Sequence, residues 1–152
     1  MFKKLQNRID RKRINLSIRP RNAVSICLGI GFLFFIKNYR NKSLASSIKE
    51  IIVSRGEAFI ISLNNEEYHT CFECFDDNMR KSMTIEKLSD TFSPLIKAQG
   101  EFIGFKSDSV YQTESLGDGY IVCSLRAIYV NGDLNFTIVF NRQGKISGLN
   151  IS

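Results

Sequence analysis

Residues 129–141 read YVNGDLNFTIVFN. Within them Leu134, Phe136, Ile138 and Phe140 alternate with Asn135, Thr137 and Asn141, a period of two that puts apolar side chains on one face of a strand and polar ones on the other. The preceding Asn131-Gly132-Asp133 is a strong hairpin signal, because Asn and Gly take the positive φ values that tight turns joining twisted strands require. The stretch therefore predicts two strands of an antiparallel sheet with one covered face. Working outward, further strands are expected at 101–106, 109–115, 120–130 and 145–151. Leu116-Gly117-Asp118-Gly119 and Arg142-Gln143-Gly144 supply the other turns.

Upstream the period becomes helical. Ile48, Ile51, Ile52, Arg55, Phe59 and Leu63 recur every three or four residues and predict a docking helix over about 44–63. A second helix carries Tyr68, Phe72 and Phe75, with Glu66 and Glu67 at its start. Thr84 is the expected N-cap of a third, bearing Ile85, Leu88, Phe92, Leu95 and Ile96; Pro94 is expected to kink or end it, with Gly100 just beyond. Helices followed by a meander define an α+β domain at 44–152.

Ahead of it lies residues 23–36, AVSICLGIGFLFFI, fourteen residues without a charge. As a helix this run reaches roughly 21 Å, short of the ~30 Å hydrocarbon layer. Snorkelling Arg21 and Lys37 with interfacial Tyr39 can make up the difference. The expectation is an uncleaved transmembrane helix, with a cleaved signal peptide and a buried or interfacial helix as alternatives. Eleven basic residues against Asp10 alone fall in 1–42, whereas 43–152 holds ten basic and fourteen acidic residues. Residues 1–22 thus read as a basic cytoplasmic leader, 23–36 as the anchor, 37–43 as a linker, and the domain as extracytoplasmic in the cell membrane. A mildly acidic domain argues against nucleic-acid binding.

Several spaced motifs then point to a family. Residues 75–79 (FDDNM), 83–88 (MTIEKL), 100–102 (GEF), 136–140 and 144–149 (GKISGL) together resemble an uncharacterised bacterial family, numbered 3887 among domains of unknown function. The resemblance covers roughly 46–151. It implies a cone-shaped fold similar to nuclear transport factor 2 and the cystatin-like group, with helices in the concave side of a curved sheet. It also implies secreted or anchored proteins, sometimes joined to a hydrolase domain. The chain departs from the pattern at Phe92, where many members carry Trp, and the resemblance brings no catalytic residues.

Chemistry-bearing candidates are few. Cys71 and Cys74 form a CxxC, which in other settings is a redox dithiol or half a zinc site; here it falls within a helix and lacks the preceding strand of a redox fold. His69 and Cys123 are the groups that would complete a Cys/Cys/His cluster, and a Cys123 disulfide to Cys71 or Cys74 is the other alternative. The Asp76-Asp77 pair reads as helix capping. Enzymes of conical shape use a Tyr with an Asp or His, so Tyr111, Tyr120, Tyr129 and Arg126 are the strand candidates for an enclosed pocket. No cofactor or metal is expected. The reading that follows is a non-enzymatic anchored domain. Its contacts are the membrane through 23–36 and either a small apolar ligand or, through the open sheet face, a protein partner or second copy. A ketosteroid isomerase-like small-pocket enzyme is the runner-up and a thiol redox or metal site at Cys71 and Cys74 the third reading.

Overall fold

The computed structural model describes residues 26–28, 44–115 and 118–152. Their elements in chain order are β1 (Ile26–Leu28), α1 (Ser46–Asn64), α2 (Tyr68–Cys74), α3 (Asp77–Ser82), α4 (Ile85–Gln99), β2 (Phe102–Ser115), β3 (Asp118–Tyr129), β4 (Gly132–Phe140) and β5 (Ile146–Ile151). The strands form one sheet in the order β1-β5-β4-β3-β2, antiparallel throughout. This is an α+β architecture, as the change of period indicates.

The central hairpin follows from the alternation that opened the sequence reading. Leu134, Phe136, Ile138 and Phe140 are buried on the helix-covered face beside Cys123, Leu125, Ala127 and Tyr129 of β3. Tyr129 pairs with Gly132, so the loop is the two residues Val130 and Asn131, and Gly132 already belongs to β4. Two expected strands fuse into the fourteen residues of β2, because register shifts between Phe102 and Gly104 and between Phe105 and Ser107 absorb the irregular alternation.

α1 lies against the sheet at Gly56. A Cβ there would stand 2.8 Å from Leu125 Cδ1 and 3.5 Å from both Cys123 Sγ and Ile138 Cδ1, so glycine lets the backbone come this close without displacing the Leu125 methyl. Ile52, Phe59, Ile60 and Leu63 are buried around that contact. The expected stripe fails at its start: Ile48 and Ile51 are 42% and 56% exposed. In that first turn Lys49 reaches β2 and pairs with the Asp108 carboxylate at 3.1 Å.

The remaining helices are set by their caps. Glu66, at φ 59°, turns the chain from α1 into α2, and its carboxylate accepts from Ser93 at 3.2 Å and pairs with Lys97 of α4 at 2.9 Å. Asp76 takes the capping role expected of the Asp76-Asp77 pair by accepting from Met79 N at 2.9 Å, at the start of the short α3, a helix not among the three predicted. Thr84 caps α4 and Gly100, at φ 78°, ends it as expected. The helix runs on through Pro94 to Gln99. The carbonyl that loses its donor to Pro94 belongs to exposed Asp90, where water can serve it. Phe59, Phe75, Phe92, Phe136 and Phe140, each at most 3% exposed, fill the space between helices and sheet.

No helix of the described residues is long and apolar enough to cross a membrane. Of the stretch expected as a transmembrane helix, only Ile26–Leu28 is described, and those three residues are a strand paired with β5, not a helix. The rest of 23–36, the leader and the whole of the linker lie outside the described residues.

The Gly56 contact yields a direct expectation. Gly56→Val would force branched methyls into Leu125 and Cys123 and is expected to lower unfolding stability by about 1–3 kcal/mol, the usual cost of overpacking. Urea denaturation measures it, and an unchanged or raised midpoint would contradict the close approach.

Candidate functional site

The turn between β4 and β5 is organised by one side chain. Asn141 Oδ1 accepts from Gln143 N and Lys145 N, both at 3.0 Å, while Gly144 N donates to Asn141 O at 2.9 Å and Asn141 N to Lys145 O at 2.9 Å. Asn is suited to this because its short side chain mimics a backbone turn. Gly144 takes φ 74°, a left-handed conformation costly for any residue with a Cβ, and a Cβ there would also collide with Arg55 Nη1 of α1. The bare Gly144 backbone is thus the surface on which the Arg55 guanidinium rests.

Facing the turn is the C-terminal end of α2. The Glu73 carbonyl, which the helix leaves without an internal donor, accepts from Lys145 Nζ at 2.9 Å and from Arg80 Nη2 at 2.8 Å. Arg80 also lies over the Phe72 ring, 5.5 Å from its centroid. These contacts frame a cleft of about 480 Å³. Phe59, Cys71, Phe140 and Ile146 form its apolar floor, with Arg55, Lys145, Glu73 and Cys74 at the rim. Among the described residues no carboxylate lies within ion-pair distance of Arg55. Glu73 instead directs its carboxylate to His69, Oε1 to Nδ1 at 3.6 Å, on the exposed side of α2.

The candidates from the sequence are dispersed by the fold. Cys71 is fully buried, with its Sγ 3.9 Å from the Phe59 carbonyl, and burial pushes its thiol up to about 12. Cys123 is equally buried under Gly56, one turn away along α1, and burial likewise raises it to about 12. Cys74 is half-buried; its thiol is raised by burial, against the opposing pull of Lys145, Arg55 and Arg80. All three are free thiols. A thiol with its pKa near 12 is almost wholly protonated at neutral pH, so neither Cys71 nor Cys123 presents a thiolate for redox exchange. His69, 75% exposed in its side chain, stands apart from them. Among the described residues no three His, Cys, Asp or Glu side chains gather at metal-binding distance.

The strand candidates do not enclose a pocket either. Arg126 is on the sheet face away from the helices, its Nε donating to Asn135 Oδ1 at 3.2 Å and lying 3.8 Å from Asp133 Oδ2. Tyr111 and Tyr120 pack on Val122 and Val139 of that same outer face. Tyr129 does point inward, 3% exposed, with the Asn64 side chain as the polar neighbour of its hydroxyl; burial raises its pKa. Sequence reading offered Arg126 and Tyr120 as candidates for an enclosed pocket without fixing the face on which each falls, and along Val122-Cys123-Ser124-Leu125-Arg126 it is Cys123 and Leu125 that take the core face. It named Arg55 in the helix stripe and Gly144 and Lys145 in a turn and a motif, but singled out none of them as a site residue. Arg55 carried the one usable signal, as the sole charge in an otherwise apolar helix stripe.

Comparison with known proteins places this geometry in context. A solved NMR structure of a protein from Ruminococcus gnavus ATCC 29149 is similar in fold, with a TM-score of 0.58 at 15% identity over 70% of this chain and 90% of that one. No curated protein sequence matches the chain significantly. A family model does match residues 56–149, from the Gly56 contact to Leu149 of β5. The chain belongs to the family described as Protein of unknown function (DUF3887).

Proposed function

We propose that the chain is a single-pass membrane-anchored domain, with its N-terminus in the cytoplasm and residues 44–152 outside, that binds a small ligand with an apolar body and one anionic group. The observation that carries the binding half is the cleft beside residues 141–145: an apolar floor under the Arg55 guanidinium, which has no carboxylate partner among the described residues. An apolar body gains by covering Phe59, Phe140 and Ile146, and an anion gains a charge-assisted hydrogen bond from Arg55. The anchor half rests on the uncharged run 23–36 and the basic residues that precede it. In this reading the sheet and helices form a filled version of the nuclear transport factor 2-like cone, whose interior is given to core packing and whose binding site has moved to one end.

Binding is favoured over catalysis because the titratable group at the cleft floor is Cys71, whose thiol burial keeps protonated. Binding in the cleft is favoured over the outer sheet face because the polar groups there satisfy one another, Ser124 with Thr137 at 3.5 Å and Arg126 with Asn135.

Phenyl phosphate and phenol are suitable probes for the full chain. Phenyl phosphate is expected to bind more tightly, to shift the amide resonances of Gly144 and Cys74, and to lose about tenfold in affinity in Arg55→Gln, the loss of one charge-assisted hydrogen bond. Equal affinity for the two probes, or an unchanged affinity in Arg55→Gln, would overturn the cleft assignment. For the anchor, the full chain with a C-terminal tag is expected to pellet with membranes and to lose the tag to protease added to spheroplasts. A soluble, protected tag would refute the topology.

A further inference from the structure

The two outer strands of the folded domain are protected very differently. β2 carries exposed Lys106 and Asp108 and two register shifts, devices that keep an edge from pairing with another strand. β5 has one register shift, at its start where Val139 pairs with Gly148 and Phe140 with Ile146, but Ile146–Ile151 reads ISGLNI, without a charge or a proline, and Leu149–Ile151 pairs regularly. An uncharged, regular edge of this kind is a template for strand addition, so something must cover it. Two segments do so. At its start, Phe75 forms a parallel bridge with Ile146 and Asp76 N donates to Ile146 O at 2.9 Å. At its end, Ile26, Cys27 and Leu28 pair with Ile151, Asn150 and Leu149.

We infer that the outer edge of β5 is a strand-acceptor site whose occupant is the chain's own Ile26–Leu28, and that it competes with the membrane for the apolar stretch 23–36. The competition rests on the anchor reading above; the strand pairing does not. Three residues cannot lie along β5 and within a bilayer at once. Where a bilayer is present, burying fourteen uncharged residues outweighs pairing three, so the segment leaves and residues 149–151 present open backbone groups. Where none is present, the segment covers the edge that carries neither charge nor proline. The fold thereby distinguishes inserted from uninserted chains by whether that edge is free.

Cys27 opposite Asn150 makes the pairing testable, because antiparallel neighbours lie about 4.5–5.5 Å apart between Cα atoms, within the reach of a disulfide. The full chain carrying Asn150→Cys is synthesised cell-free, with or without vesicles of phosphatidylethanolamine and phosphatidylglycerol. It is then oxidised with copper phenanthroline, and the bridge from Cys27 to the introduced thiol is quantified by mass spectrometry. Most chains are expected to bridge without lipid, and the bridged fraction is expected to fall several-fold in chains that float with vesicles. Ser147→Cys, at a position with no partner in β1, is the control and should not bridge to Cys27. Absence of the bridge without lipid overturns the strand assignment, and a bridge between two chains overturns the assignment to the chain's own segment. An undiminished bridge in floated chains overturns the competition. Chains that bridge but fail to float with vesicles overturn the anchor, and the competition with it, while leaving the strand pairing intact.

Discussion

The approach of α1 to the sheet at Gly56 is the contact from which the other features follow. With no Cβ at that position, the helix backbone sits directly on Cys123, Leu125 and Ile138. Ile52, Phe59, Ile60 and Leu63 are thereby driven into the space the sheet would otherwise enclose. Phe75 and Phe92 complete the filling from α2 onward. The volume between helices and sheet is filled by core packing. The buried thiols are part of the packing, which is why burial and not chemistry sets their protonation.

The β4–β5 end of the domain is organised differently. Three features converge there: a turn held by Asn141, a glycine that exposes backbone to Arg55, and a helix C-terminus bound by Lys145 and Arg80. Each answers a local requirement, whether closing a hairpin, admitting a left-handed residue or satisfying an orphan carbonyl. Together they draw three cations around Cys74 beside an apolar floor. The positive character of the cleft is thus a product of how β4, β5 and α2 terminate, and it stands out in a domain whose overall charge is mildly negative.

Much of this fold is legible in the sequence, for reasons that also explain what is not. The alternation in β4 reads correctly because one face is covered and the other wet, so burial enforces the period. The caps at Thr84 and Gly100 read correctly because their chemistry is local. β2 reads as two strands because bulges erase the period that would join them, and α3 is missed because six residues are too few to show a helical period. The first turn of α1 reads as core because periodicity cannot tell that Lys49 there pairs with Asp108 while Ile48 and Ile51 stay exposed. Of the site, Cys71, Cys74 and the Gly144 turn are visible in the sequence, but the meeting of Arg55 with Gly144 spans 89 positions and depends on tertiary packing. The resemblance to an unknown-function family over most of the domain is shown by the family match, whereas its conical likeness stays a proposal.

The proposed function turns on a filled interior and a cleft at the β4–β5 end. Apolar cavities in proteins take up xenon, so xenon-dependent shifts in the amide and methyl spectra of the full chain would locate any void directly. The account predicts shifts confined to residues around the cleft, such as Phe59, Phe140 and Ile146. A saturable shift centred on Leu88, Phe92 and Phe136 would show a hollow interior and contradict it.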